Sequence, residues 1–245
     1  MSKHPLDMIT PNRPDKVWYL RQTGLFDRLG EPELRRIAEL SRMREFPRGA
    51  LIIGPDSNPD LIYLVKAGRV KISTFSLQGK EQILALLERG DVFGELAPAE
   101  ARVPAHVEAF DHAIVCTLHR TLFEEILRHT PEVGVRVIRA LARRLRAAEQ
   151  EIEDLALRSV PGRLAALLLR LAEEYGEPQD HGIRLSLRLT HQDVAHMVGS
   201  TRETITALIN RFRDEGLITV DHRVLVILER DRLRQIASGG AALSR

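Results

Sequence analysis

From about residue 23 to 130 the chain carries short apolar runs separated by turn residues. They are "ALIIG", "LIYLVKAG", "RVKISTFSLQG", "QILALLERG" and "AIVCTL", with Gly54, Gly68, Gly79 and Gly90 closing the first four. Runs that alternate or stay apolar over so few positions read as strands, and their close spacing predicts a small antiparallel barrel or sandwich. "TLFEEILRH" follows as a helix folding back on it. Ahead of this region, residues 1 to about 22 are polar and Pro-containing and read as a loosely held arm.

Over residues 131–158 the period changes. Ile138, Leu141, Leu145, Ala148, Ile152 and Leu155 recur at alternating steps of three and four, the a/d seam of a coiled coil. Arg143, Arg144, Glu149, Glu151 and Glu153 flank the seam, as a solvated dimer interface requires. A helix packed on its own domain is the simpler alternative. Its length for a small domain favours dimerisation.

Ser159 then offers an N-cap with Pro161 in the first turn, and Leu164, Leu167, Leu168 and Leu171 form a core stripe. Gly176 and Pro178 end that helix, and "IRLSLRL" reads as a short strand. Thr190 and Asp193 open "HQDVAHMV" with a relative of the capping box. Gly199 breaks this helix, and Ser200 with Glu203 reads as an S-x-x-E box starting the next. "LITVDHRVLVIL" closes residues 159–230 as two strands around Asp221–His222, with a helix and tail over 231–245. Two helices joined at a Gly and followed by a hairpin predict a winged helix-turn-helix.

The second of those helices has two faces. At 100° per residue, Leu208, Ile209 and Phe212 stay within about 60° of Ile205 and form a core stripe. Glu203, Ala207 and Asn210 fall opposite, flanked by Arg202 and Thr206. Arg can grip guanine, Glu can accept from cytosine and Asn can pair with adenine. Glu203 has a competing use in the capping box. Arg202 has a poorer one, because a cation at a helix start opposes the dipole. With Ser200 and Thr201 at the helix start, and Arg188, Arg211 and Arg213 able to hold phosphates, the set predicts a double-stranded DNA partner.

Composition sharpens this only a little. The chain has 245 residues, 44% of them hydrophobic and 29% charged, an ordinary globular balance with room for one large or two modest domains. No apolar run reaches the roughly 18–20 residues of a membrane span, and the start lacks a signal-peptide core, so a cytoplasmic protein without membrane contact is expected. The net charge of +2 is too small to argue for nucleic acid by itself. All five Lys lie at or before Lys80, and every fixed cation beyond it is Arg. The single Cys116 sits in an apolar run and reads as a small core residue; one thiol cannot ligate an iron–sulfur cluster.

The segment "LTHQDVAHMVGSTRETITALINRFRDEGLI" resembles the helix-turn-helix of the CRP/FNR family of transcription regulators. The likeness extends through "GRLAALLLRLA" and the long helix into "LIYLVKAGRVKISTFSLQGKEQILALLERGDVFGELA", which resembles the family's cyclic-nucleotide-binding-type β-roll. The resemblance implies an α+β chain: an N-terminal β-roll, a long dimerisation helix and a C-terminal winged helix-turn-helix. It also implies a homodimer on a pseudo-palindromic site and RNA polymerase as a partner. With no G-x-x-x-x-G-K-[ST] loop, G-x-S-x-G elbow or H-E-x-x-H in the chain, no enzymatic activity is expected. In that family the helix start places an Arg and a Glu on the bases, here Arg202 and Glu203. Cyclic-AMP-binding members add a second Arg one turn later, where this chain has Ala207; its loss removes a contact worth about 1–3 kcal/mol of discrimination. A TGTGA-like half-site is therefore only loosely expected.

For an effector, Gly94, Glu95 and Leu96 match the family's "GEL". The following "RSA", whose Arg and Ser hold the cyclic phosphate, aligns with Val103 and Pro104, which supply neither a charge nor a backbone N–H. Cyclic AMP is thus disfavoured and no cofactor is expected. Haem stays open, with His106 beside the altered pocket as first candidate ligand. No two of the nine His stand at the i, i+4 spacing of a helical zinc site, so no metal is expected. Two alternatives remain. One is a cyclic-nucleotide- or haem-responsive member of the same family. The other is a dimerising adaptor whose polar helix face meets protein rather than DNA.

Overall fold

The computed structural model describes residues 16–94, 106–221 and 224–240. Its elements run α1 (Lys16–Gln22), α2 (Glu31–Leu40), β1 (Arg42–Phe46), β2 (Leu51–Ile53), β3 (Leu61–Ala67), β4 (Val70–Phe75), β5 (Glu81–Leu87), β6 (Val92–Gly94), β7 (His106–Ala109) and β8 (Ala113–His119). Then come α3 (Arg120–His129), α4 (Pro131–Leu157), α5 (Val160–Tyr175), β9 (Gly176–Gln179), β10 (Gly182–Leu185), α6 (His191–Val198), α7 (Arg202–Asp214), β11 (Ile218–Asp221), β12 (Val224–Ile227) and α8 (Arg230–Ala237).

The eight N-terminal strands form two four-stranded sheets, β1-β8-β3-β6 and β2-β7-β4-β5. Phe46, Tyr63, Val65, Val70, Phe93, Val107, Ala109 and Val115 form the core of this β-roll. Strand β3 explains why "LIYLV" reads as a continuous apolar run. Tyr63 and Val65 face that core, while Ile62 and Leu64 join a second cluster with helices α1 to α3, so both faces are covered.

Two helices depart from the sequence expectation. From Lys16 on, the expected loose arm is helix α1, held because Val17 and Leu20 are buried against Phe26 and Leu34. Helix α2 lies where only strands were read; Leu34, Ile37 and Ala38 give it a helical stripe, with Pro32 and two Glu in its first turn.

Lys66 continues the outward face of β3 at a bulge, where the register with β8 shifts between Val65 and Ala67. It is 2% exposed, its ammonium has no hydrogen-bond partner among the described residues, and Nζ stands 5.7 Å from the Phe26 ring centre. Burial lowers its pKa to about 7, against a small opposing effect of nearby Cys116. Cys116 itself is buried, as its apolar surroundings predicted.

The described residues divide into two compact units. One takes the chain up to Ser73 with Ala85–Arg143, and the other takes Thr74–Leu84 with the chain from Arg144 onward. The tip of the β4–β5 hairpin thus belongs with the second unit. There Gln82 donates to Glu151 of α4 at 2.9 Å, and His196 of α6 lies 3.0 Å from Glu81. The same unit holds the third sheet, β11-β12-β10-β9, in which "IRLSLRL" is a strand only as far as Leu185 and pairs with an additional strand β9.

Candidate DNA interface

Helix α6 starts at the expected box. The Thr190 hydroxyl accepts from the Asp193 amide at 3.0 Å, and the Asp193 carboxylate accepts from the Thr190 amide at 2.9 Å. Its end is set by Gly199, whose left-handed backbone (φ +68°) lets the chain turn at once into α7. A side chain there would be strained whatever the space around it.

The start of α7 differs from the expectation. Thr201, not Ser200, is the N-cap, its hydroxyl accepting from the Thr204 amide at 3.2 Å. The Ser200–Glu203 capping box does not form, because Glu203 now falls in the first turn rather than three residues after the cap. Its own amide and the Thr201 hydroxyl hold the Glu203 carboxyl below the usual carboxylate range, so it stands ionised and exposed.

Ile205, Ile209 and Phe212 are buried, with Leu208 partly so. On the other side Arg202, Glu203 and Ala207 are exposed, while Thr206 and Asn210 are half-buried on the flanks. Thr206 is engaged by His191, a residue the sequence reading considered only as a metal ligand. Of the Arg proposed for phosphate, Arg188 and Arg213 are exposed, and Arg213 lies 3.7 Å from Asp214. Arg211 instead pairs with Glu215 at 3.3 Å, and Arg232 of α8 reaches the same carboxylate.

The seam residues Ile138, Leu141, Leu145, Ile152 and Leu155 of α4 are between 46% and 68% exposed in the single chain, and Ala148 is exposed as well. Toward the end of the helix Asp154 is buried, bonded by Arg158 at 2.7 Å, Arg170 at 2.6 Å and Gln150 at 3.2 Å. Burial pushes its carboxyl up, yet those bonds together hold it below the usual range. Asp154 therefore fastens the end of α4 to α5, a role hidden in a sequence rich in Arg and Glu. Neighbouring Glu151 is shifted up, chiefly by burial and against its bond from Gln82.

Glu95, Leu96, Val103 and Pro104 lie outside the described residues. Gly94 closes β6 with φ +113°, and a Cβ there would come within 2.7 Å of the Leu61 carbonyl. His106 corrects an expectation. On β7 it alternates with Val107 and Ala109, which face the roll core, so pleating turns His106 to the outer face. There its Nε2 is 2.6 Å from Glu108, which also pairs with Lys71. Its ring is thus engaged at the outer face, opposite the side that carries Val107 and Ala109 into the core. Among the described residues no group of three or more His, Cys, Asp or Glu is placed to hold a metal ion.

The profile described as a cyclic nucleotide-binding domain matches residues 43–130, from β1 to the end of α3. That described as a Crp-like helix-turn-helix domain matches residues 162–236, from α5 into α8. A "Global nitrogen regulator" of Synechocystis sp. is 30% identical over 210 residues, spanning 83% of this chain and 90% of the relative. The chain belongs to the CRP/FNR family. It is a CRP/FNR-type transcription regulator with a helix-turn-helix DNA-binding domain. A second CRP/FNR relative, the "CRP-like cAMP-activated global transcriptional regulator" of Mycobacterium tuberculosis, is 28% identical over 221 residues, covering 89% of this chain and 98% of its own. Among solved structures, a CooA mutant from Carboxydothermus hydrogenoformans superposes with a TM-score of 0.72 at 26% identity, covering 81% of this chain and 88% of that one. These relatives are similar along nearly their whole length, so the CRP/FNR assignment covers both the roll and the helix-turn-helix. Among the described residues no helix is long and apolar enough to cross a membrane.

Proposed function

We propose that this regulator is a cytoplasmic homodimer that binds a pseudo-palindromic DNA site without needing cyclic AMP, and acts through RNA polymerase as family members do. The observation that carries it is the pairing of two exposed surfaces: the polar face of α7 and the apolar seam of α4. A row of apolar residues left in water on a 27-residue helix is stabilised by a second copy of itself. Two copies would present two α7 helices to successive major grooves, about one helical turn apart.

On each half-site Arg202 and ionised Glu203 read bases, with Asn210 and Thr206 on the flanks. Arg188, Arg213 and the amides at the starts of α6 and α7 hold phosphates, with Ser200 and Thr201 beside them. Arg211 contributes less than the sequence suggested, because Glu215 already takes its charge. Cyclic-AMP independence rests on Val103 and Pro104, which lack the charge and the N–H that a cyclic phosphate needs. Any effector works by shifting the population of chains competent for DNA.

Selection from random-sequence duplexes, followed by mobility shift with and without cyclic AMP, tests this directly. The expected result is one two-fold-symmetric site bound equally in both conditions. A site bound only with the nucleotide would refute independence, and no selected site would refute specific DNA binding.

A further inference from the structure

The 2.8 Å hydrogen bond between His191 Nδ1 and Thr206 Oγ1 ties the first residue of α6 to the second turn of α7. The ring is well placed for this, because His191 directly follows the Thr190 cap whose reciprocal bonds with Asp193 fix the helix start. Whichever partner supplies the proton, the Thr206 oxygen is held against the imidazole. A threonine carries one hydroxyl and one methyl on Cβ and is stiff about χ1. Once the oxygen is held toward α6, the methyl has one staggered direction and points away from the ring.

Next to it stands exposed Ala207, whose side chain is itself a methyl. Half-buried Thr206 on the flank and exposed Ala207 beside it therefore both carry methyl groups, with Arg202 and Glu203 one turn before and Asn210 one turn after. A free threonine hydroxyl bonds several bases and discriminates little, whereas an apolar pair complements the C5-methyl of thymine in the major groove.

We infer that His191, Thr206 and Ala207 form a unit that reads a thymine methyl, with His191 as the positioning residue that turns Thr206 from a polar contact into an apolar one. The inference rests on α7 being the base-reading helix. It assigns the place vacated by the missing Arg at 207 a different base preference, not merely a weaker one.

The test uses the full-length protein and its selected site, with each thymine replaced in turn by deoxyuridine, which lacks only the methyl. Wild type should lose about fourfold in affinity at one symmetric pair of positions, the worth of one methyl removed from water. Thr206→Ser keeps the hydroxyl but not its methyl and should lose most of that discrimination, Ala207 supplying the remainder. His191→Ala should lose the same discrimination. His191→Asn carries a polar atom near the place of Nδ1 and should restore it. A flat scan in wild type overturns the inference while a selected site still stands. So does a His191→Ala variant that weakens all DNA equally, the signature of a phosphate contact. If no site is selected at all, it is the DNA-binding reading that fails.

Discussion

Lys66 and Arg202 are cations in opposite circumstances, and each makes a prediction of its own. Lys66 is buried without a hydrogen-bond partner among the described residues, and its pKa falls from 10.5 to about 7. The unfolded chain therefore binds a proton that the folded chain lacks between about pH 7 and pH 10, so this group makes stability rise with pH across that window. Below about pH 7 both states are protonated, and the full cost, on the order of a few kcal/mol, is present. Lys66→Met should raise the denaturant midpoint most at and below pH 7 and remove the rise above it; equal midpoints at every pH would contradict the assignment. Arg202 is exposed and opposes the dipole of its own helix, so its removal should spare stability. Arg202→Ala should cost about 1–3 kcal/mol of binding to the selected site and relax preference at one position per half-site, read by competition mobility shift. Helical spacing puts Arg202 only on the flank, about 60° from Ile205, and its exposure was set by the fold. The burial of Lys66 was not legible at all, because "LVKAG" does not say that helices will cover this face of β3.

The elements of the DNA-binding unit are governed by their ends. Gly199 supplies a left-handed turn that costs other residues roughly 1–2 kcal/mol. Gly199→Ala should lower stability by about that amount and weaken specific binding further, since α7 is aimed by this turn; circular-dichroism melts and mobility shifts measure the two separately. Thr190→Ala removes one half of a reciprocal cap and should cost about 1 kcal/mol, seen as a lower unfolding midpoint. The T-x-x-D box and the Gly break were readable because caps are local chemistry. The start of α7 was misread by one residue, since Ser200 and Thr201 are both competent caps and local sequence does not choose between them. Helix α2 escaped for another reason: its Leu34–Ile37–Ala38 stripe is short and stands beside strands.

At the scale of the whole molecule the exposed seam of α4 decides whether the chain functions alone. Leu145→Glu with Ile152→Glu puts carboxylates at two seam positions that are already exposed in the single chain, so the fold should survive. Sedimentation should show a monomer, and affinity for the two-fold site should drop by orders of magnitude as the second half-site contact is lost. A dimer that persists with both carboxylates in place would move the interface elsewhere. The grouping of Thr74–Leu84 with the chain from Arg144 onward was invisible beforehand. Contacts such as Gln82 with Glu151 join residues far apart in sequence, and no periodicity records them.

Patterns that repeat along a strand or helix, and caps that act within one turn, are properties of neighbouring residues. They made the α+β class, the long helix, the winged helix-turn-helix and the two faces of α7 readable in advance. Which buried polar groups find partners depends on chain segments meeting in space. Contacts made in space settled that Asp154 gathers Arg158 and Arg170, that His106 faces outward to Glu108, and that Lys66 finds no hydrogen-bond partner among the described residues. They also settled that His191 holds the hydroxyl of Thr206, which changes what the recognition face can offer a base.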